Sequence, residues 1–275
     1  AMVRLAVRLE RADLEELAAA EGREVLEARW DPQAERVRCE RSLQLGALVV
    51  TRTAWPEARG EEVQGAMAEG VRQLGLAALP WCPRSRSLQQ RLALAHRWLG
   101  PPWPDRHLER LEEDPAAWLG ERLAGLRSRL DLRQLDLVEA LWGELPWAER
   151  QELERWFPEA LAVPSGRRVP LDYSGEEPVL AVKLQEMFGA AVSPTLLEGR
   201  LPITVQLLSP AGRPAALTRD LAGFWSSGYA EVRRELRGRY PKHPWPEDPR
   251  QAVATALTKA RLERQPAGER SPGPA

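Results

Sequence analysis

The period of the apolar positions changes twice along the chain, and each change marks a change of expected structure. From Val3 to Glu10 the sequence VRLAVRLE alternates apolar and polar residues, the spacing of a half-buried strand. ADLEELAAAEG, from Ala12 to Gly22, then has helical spacing and ends on glycine, and REVLEARWDPQAERVRCERSLQLGALVVTRT reads as a strand, an Asp-Pro turn and two further strands. Residues 1–57 are therefore expected to form a small β-rich unit with one helix, its strands few enough that partners are missing.

Between Gly60 and Pro158 the period is helical. Val63, Met67, Val71 and Leu74 form one apolar stripe, Leu88, Leu92, Ala95 and Leu99 a second, and Trp118, Leu119, Leu123 and Leu126 a third. DLRQLDLVEALWGELP and PWAERQELERWFP supply two more helices, each closed by proline, so residues 58–158 are expected to be a helical bundle. Short strands then return: ALAVPSGRRVPLDYSGEEPVLAVKL holds three, separated by P-S-G and S-G turns, followed by a short helix at Leu184 to Phe188 and the strand PITVQLL. Residues 159–250 are expected to be an α+β domain and residues 251–275 a disordered tail. The fold class is α+β and multidomain.

With 275 residues, 43% apolar and 29% charged, the chain can bury two or three small cores. Cys39 and Cys82 stand far apart, without a C-x-x-C, which excludes a disulfide framework or a cysteine zinc site and suits reduced thiols in the cytoplasm. The apolar runs, LGALVV among the longest, fall well short of the roughly 18 to 20 residues of a membrane span, and no signal-peptide pattern is present. Ala1 precedes Met2, as in a piece of a longer polypeptide.

The sequence lacks G-x-x-x-x-G-K-[ST], G-x-S-x-G, H-E-x-x-H and G-x-G-x-x-G, which removes the common nucleotide-binding, hydrolase and zinc-protease sites. His96 and His107 read as packing residues, and the carboxylate pairs Glu112/Glu113 and Glu176/Glu177 as solvated faces. No catalytic or metal-binding residue is expected.

Net charge is −1 but unevenly spread: seven basic side chains against three acidic ones lie between Arg213 and His243, a local excess of +4. In FWSSGYAEVRRELRGRY, Trp225, Tyr229, Val232, Leu236 and Tyr240 recur at steps of four and three, an apolar seam with Ser226 or Ser227 as the expected cap. Arg233, Arg234 and Arg237 then project from the other faces, where Glu231 and Glu235 can pair with Arg234 and Arg239. RYPKHPWPEDP is too proline-rich for helix and displays Tyr240, Lys242, His243 and Trp245 on an extended segment. Two readings stand side by side. Aromatic rings and cations together hold single strands; alternatively the helix is laced with surface ion pairs of under about 1 kcal/mol each, and Trp245 pins the segment.

VPSGRRVPLDYSGEEPVLAVKLQEMFG, PITVQLLSPAGRP, TRDLAGFW and YAEVRRELRGRYPKHPWPEDP closely resemble the C-terminal domain of the HrpB family of bacterial DEAH-box ATP-dependent helicases. VQGAMAEGVRQLGLAALPWCPRSRSLQQRLALAHRW is similar to the helical segment before that domain, and the strands from Val3 to Thr53 to the late part of an OB-like unit. The resemblance implies a parent ATP hydrolase with RNA as presumed substrate and with ATP and Mg²⁺ as cofactors of its motor, none of them held by this chain. Arg219, Arg233, Arg234, Arg237, Arg239, Tyr240, Lys242, His243 and Trp245 match positions of the family pattern, to which the resemblance attaches no role; their residue types make them the candidate nucleic-acid contacts. The implied role is a non-catalytic, cytoplasmic region that contacts single-stranded nucleic acid for a motor in cis. The alternative is a scaffold region docking a protein partner or the motor; no membrane is involved.

Overall fold

The computed structural model of the chain describes residues 9–264. After helix α1 (Arg11–Glu21), strands β1 (Arg23–Asp31), β2 (Arg36–Leu45) and β3 (Leu48–Ala54) pair as an antiparallel sheet in sequence order. Asp31 builds the first turn, its Oδ1 accepting the N–H groups of Gln33 and Ala34 at 2.9 and 3.0 Å. The strand expected over Val3–Glu10 lies outside the described residues except for Leu9 and Glu10, which carry no strand structure.

Trp30 and Val37 are paired across β1 and β2, and both are buried. Helix α2 (Glu61–Leu74) turns Val63, Met67 and Val71 inward, as its spacing requires, and packs on β1. The approach is closest at Gly70, where a Cβ would lie 2.5 Å from the Trp30 ring. Gly70→Ala is expected to destabilise this unit by about 2 kcal/mol despite alanine's better helix propensity, because the indole must shift within a packed core. Urea unfolding followed by tryptophan fluorescence measures it, and an unchanged midpoint contradicts the packing.

The helices expected over residues 58–158 form as shorter pieces: α3 (Pro83–Leu99), α4 (Leu108–Glu113), α5 (Pro115–Leu119), α6 (Leu137–Trp142) and α7 (Trp147–Trp156). The third apolar stripe is interrupted because α5 stops at Gly120, whose φ is +49°. DLRQLDLVEALW breaks at Asp136, whose carboxylate accepts the N–H of Val138 and Glu139 at 2.9 and 3.2 Å and so starts α6 afresh. The chain divides into two compact units, the first drawn from residues 1–86 and 105–143, the second from 87–104 and 144–275. The helical stretch is thus shared out between the units instead of forming a body of its own.

The second unit is built on a five-stranded sheet. Strands β4 (Ala160–Ala162), β5 (Arg168–Asp172), β6 (Val179–Lys183), β9 (Thr204–Leu208) and β10 (Pro214–Thr218) lie in the order β10-β9-β6-β5-β4, and the crossover from β6 to β9 carries the hairpin of β7 (Thr195–Leu196) and β8 (Leu201–Pro202). Strands β6 and β9 run parallel and the other neighbours antiparallel. Leu180, Val182, Val205 and Leu207 alternate into the core. Arg91 of α3 is buried there, its Nε donating to the Phe157 carbonyl at 2.5 Å and its two terminal nitrogens to Glu159 and Glu154 at 3.1 and 2.6 Å. Of the tail expected to be disordered, residues 265–275 lie outside the described residues. Residues 251–264 carry a short helix, Lys259–Glu263, and a buried Thr255 whose N–H donates to the Gln185 carbonyl at 2.9 Å.

Candidate nucleic-acid interface

The arginine-rich helix starts earlier than its serines indicate. Asp220 is the cap, its Oδ1 accepting the Gly223 N–H at 2.9 Å, and α8 (Leu221–Gly223) passes through a π-helical turn (Phe224–Gly228) into α9 (Tyr229–Arg239). Ser226 and Ser227 sit one turn inside, donating back to the carbonyls of Ala222 and Gly223 at 2.9 Å each. Gly228 is needed where it stands, since a Cβ there would meet the Phe224 ring at 2.9 Å.

The apolar seam faces the core. Trp225, Tyr229 and Leu236 are buried, with Val232 and Tyr240 half-buried at its edge. The Trp225 indole donates to the Ala190 carbonyl at 2.8 Å, and the rings of Phe188, Trp225 and Tyr229 form a cluster with centroids 5.7 to 6.2 Å apart. The Tyr229 hydroxyl donates to the Pro246 carbonyl at 3.0 Å. Burial pushes that phenol up to about 12, against the smaller opposing influence of Arg233, so it remains a donor at neutral pH.

The extended segment after α9 is pinned to the same unit. Arg233 donates through Nε to the Trp245 carbonyl at 3.0 Å and pairs with Glu247 at 3.6 Å. Trp245 is buried, its indole donating to the Tyr240 carbonyl at 2.9 Å, and the Gly189 N–H reaches the Pro249 carbonyl at 2.9 Å. Of the two readings of Trp245, the geometry places it as the pin; its ring presents no open face.

The nine positions singled out by the sequence therefore separate. Arg219 is paired with Glu177 at 2.5 Å and donates to Thr204 Oγ1 at 3.3 Å, and Arg239 is paired with Glu235 at 3.4 Å. Tyr240 contributes its carbonyl to the pin. His243 is half-buried, and burial together with the charge of Lys183 lowers its pKa, which leaves the ring neutral at pH 7. Arg234, Arg237 and Lys242 are exposed and, among the described residues, have no ion pair; the expected Glu231 to Arg234 pair does not form. Around two of them opens a groove of about 750 Å³ lined by Ala230, Arg233, Arg234, Arg237, Gly238 and Pro241.

Ala230, Gly238 and Pro241 were not evident from composition. Their signal was positional: Ala230, Arg234 and Gly238 stand at successive four-residue steps, which puts two small residues on either side of an arginine on one helix face. Among the described residues, no group of three His, Cys, Asp or Glu side chains is arranged to hold a metal ion, and no helix is long and apolar enough to cross a membrane.

Residues 118–249, which contain α6, α7, the five-stranded sheet and the groove, match the HrpB C-terminal family model, described as ATP-dependent helicase C-terminal. A relative from Escherichia coli (strain K12), the ATP-dependent RNA helicase HrpB, is 40% identical over 232 residues, which are 84% of this chain and 29% of that protein. This chain matches the C-terminal region of the HrpB family. A crystal structure of the E. coli DExH-box NTPase HrpB superimposes with a TM-score of 0.69 at 36% identity, covering 92% of this chain and 31% of that one. A crystal structure of the Escherichia coli DEAH/RHA helicase HrpB gives 0.60 at 37% identity, over 82% and 29%. The chain spans about three tenths of the length of these HrpB relatives. All nine candidate positions fall inside the stretch matched by the HrpB model, and the likeness to solved HrpB structures supports a mixed α+β architecture.

Proposed function

We propose that this chain serves as the non-catalytic C-terminal region of an HrpB-type ATP-dependent RNA helicase, and that the arginine groove beside α9 holds a single strand, RNA foremost, for a motor in cis. In this reading ATP and Mg²⁺ are bound and used by the motor in the cytoplasm, and the sheet β1–β3 is the late part of an OB-like unit. One observation carries the proposal. Arg219, Arg233 and Arg239 are neutralised by carboxylates, while Arg234, Arg237 and Lys242 are exposed without an acidic partner among the described residues. Clustered cations repel one another, and phosphate oxygens relieve that repulsion while accepting charge-assisted hydrogen bonds.

Salt dependence tests it. Three neutralised phosphates on a single strand give a slope of log K against log salt of about −2, from roughly 0.7 per contact. Fluorescence anisotropy of a labelled RNA single strand across a salt series measures the slope, and a flat response removes the proposal. The alternative of a protein or motor docking surface draws support from Trp147, 71% exposed at the start of α7. An interface anchored by tryptophan is nearly insensitive to salt, so the same series run against the isolated motor separates the two.

A further inference from the structure

The groove is lined by three arginines, Ala230, Gly238 and Pro241, with no aromatic ring among them. Resting on the strand-holding reading above, we infer that it grips the sugar–phosphate backbone and leaves the bases unread, so that RNA, DNA and even a baseless strand are equivalent ligands. Of the rings close to it in sequence, Trp225, Tyr229 and Trp245 are buried, and each spends its polar hydrogen on a carbonyl of this chain, those of Ala190, Pro246 and Tyr240; Tyr240 and His243 are half-buried and do not line the groove. Stacking on a base needs an exposed ring face, and none lines the groove.

Base-edge readout is absent for a different reason. Arginine reads guanine by setting its planar fork against the O6/N7 edge, and among the described residues no hydrogen bond fixes Arg234 or Arg237 in such an orientation. Arg233 is held, with its Nε on the Trp245 carbonyl and its Nη2 drawn toward Glu247, away from a base edge. The remaining lining residues, Ala230, Gly238 and Pro241, offer no side-chain donor or acceptor for a base edge or for a ribose 2′-hydroxyl. Gly238 completes the argument: a Cβ there meets nothing within 4 Å, so a strand can lie directly against α9.

The test compares three fluorescein-labelled strands of about 20 nucleotides, oligo-U, oligo-dT and an abasic deoxyribose-phosphate chain, by anisotropy at low salt. Each is run against the 275-residue chain and its Gly238→Glu variant, which sets a carboxylate in open space and leaves the helix intact by circular dichroism. Dissociation constants that agree within roughly threefold across the strands, all weakened about tenfold or more by Gly238→Glu, support the inference. If the variant weakens binding but the strands differ by more, base or sugar is read, and the inference falls while the strand-holding reading stands. If no strand binds, or Gly238→Glu binds like the parent, the groove is not the strand site and both fall.

Discussion

Arg91→Ala lowers the stability of the second unit by about 3 kcal/mol and its melting temperature by roughly 10 °C. The side chain is 4% exposed and holds three partners at once: the Phe157 carbonyl, Glu154 and Glu159. Alanine orphans the carbonyl and empties the space filled by the stem, which are the two largest costs. The carboxylates are 52% and 61% exposed and return to water, which keeps the effect at the low end of the roughly 3 to 5 kcal/mol seen when a fully buried ion pair loses one member. Arg91→Lys recovers about half, since an ammonium keeps the charge but not the fork that serves three acceptors. Differential scanning calorimetry of both variants decides it; a melting temperature within about 2 °C of the parent for Arg91→Ala would mean that the fork holds nothing together.

Replacing Arg234, Arg237 and Lys242 together by alanine weakens single-strand binding roughly 100-fold at low salt, at about 1 kcal/mol per lost phosphate contact, and brings the salt slope from about −2 toward zero. The fold should be untouched, because among the described residues none of the three makes an ion pair. Arg233 is left in place on purpose. Its removal frees the Trp245 carbonyl and Glu247 and so disturbs the segment that closes the groove at Pro241. Arg239→Ala is the matched control: already paired with Glu235, it changes binding by less than about threefold. A triple variant that binds like the parent, with the same salt slope, refutes the strand-holding role.

Much of this arrangement could be read before any coordinates. The seam from Trp225 to Tyr240, the antiparallel strands around Asp31 and the inward faces of α2 and α3 depend on residues a few positions apart, and periodicity reports such neighbours directly. Failures clustered at aspartates. The local pattern runs one continuous helix through Asp136 and starts the later helix at the serines after Asp220, yet each aspartate caps a helix, because a short carboxylate competes well for free N–H groups. The serines at 226 and 227 misled in the opposite direction: capping chemistry does not say which of several candidates the backbone will use.

Arg233 and Arg234 show where local reading ends. They are adjacent, chemically identical and both line the groove, but one residue of α-helix is about 100° of rotation, and that brings the first within reach of Trp245 and Glu247 and leaves the second without an ion pair among the described residues. Trp245 could equally have been platform or pin until the chain around it was placed. By itself the sequence determined the elements, the apolar faces and the neighbourhood rich in positive charge, because propensity and period act over a turn or two. Only the tertiary structure decided which cations are neutralised and which remain free. Those pairings join Arg219 to Glu177 and Arg91 to Glu154 and Glu159, residues brought together by sheet order and core packing across distances that no local pattern spans.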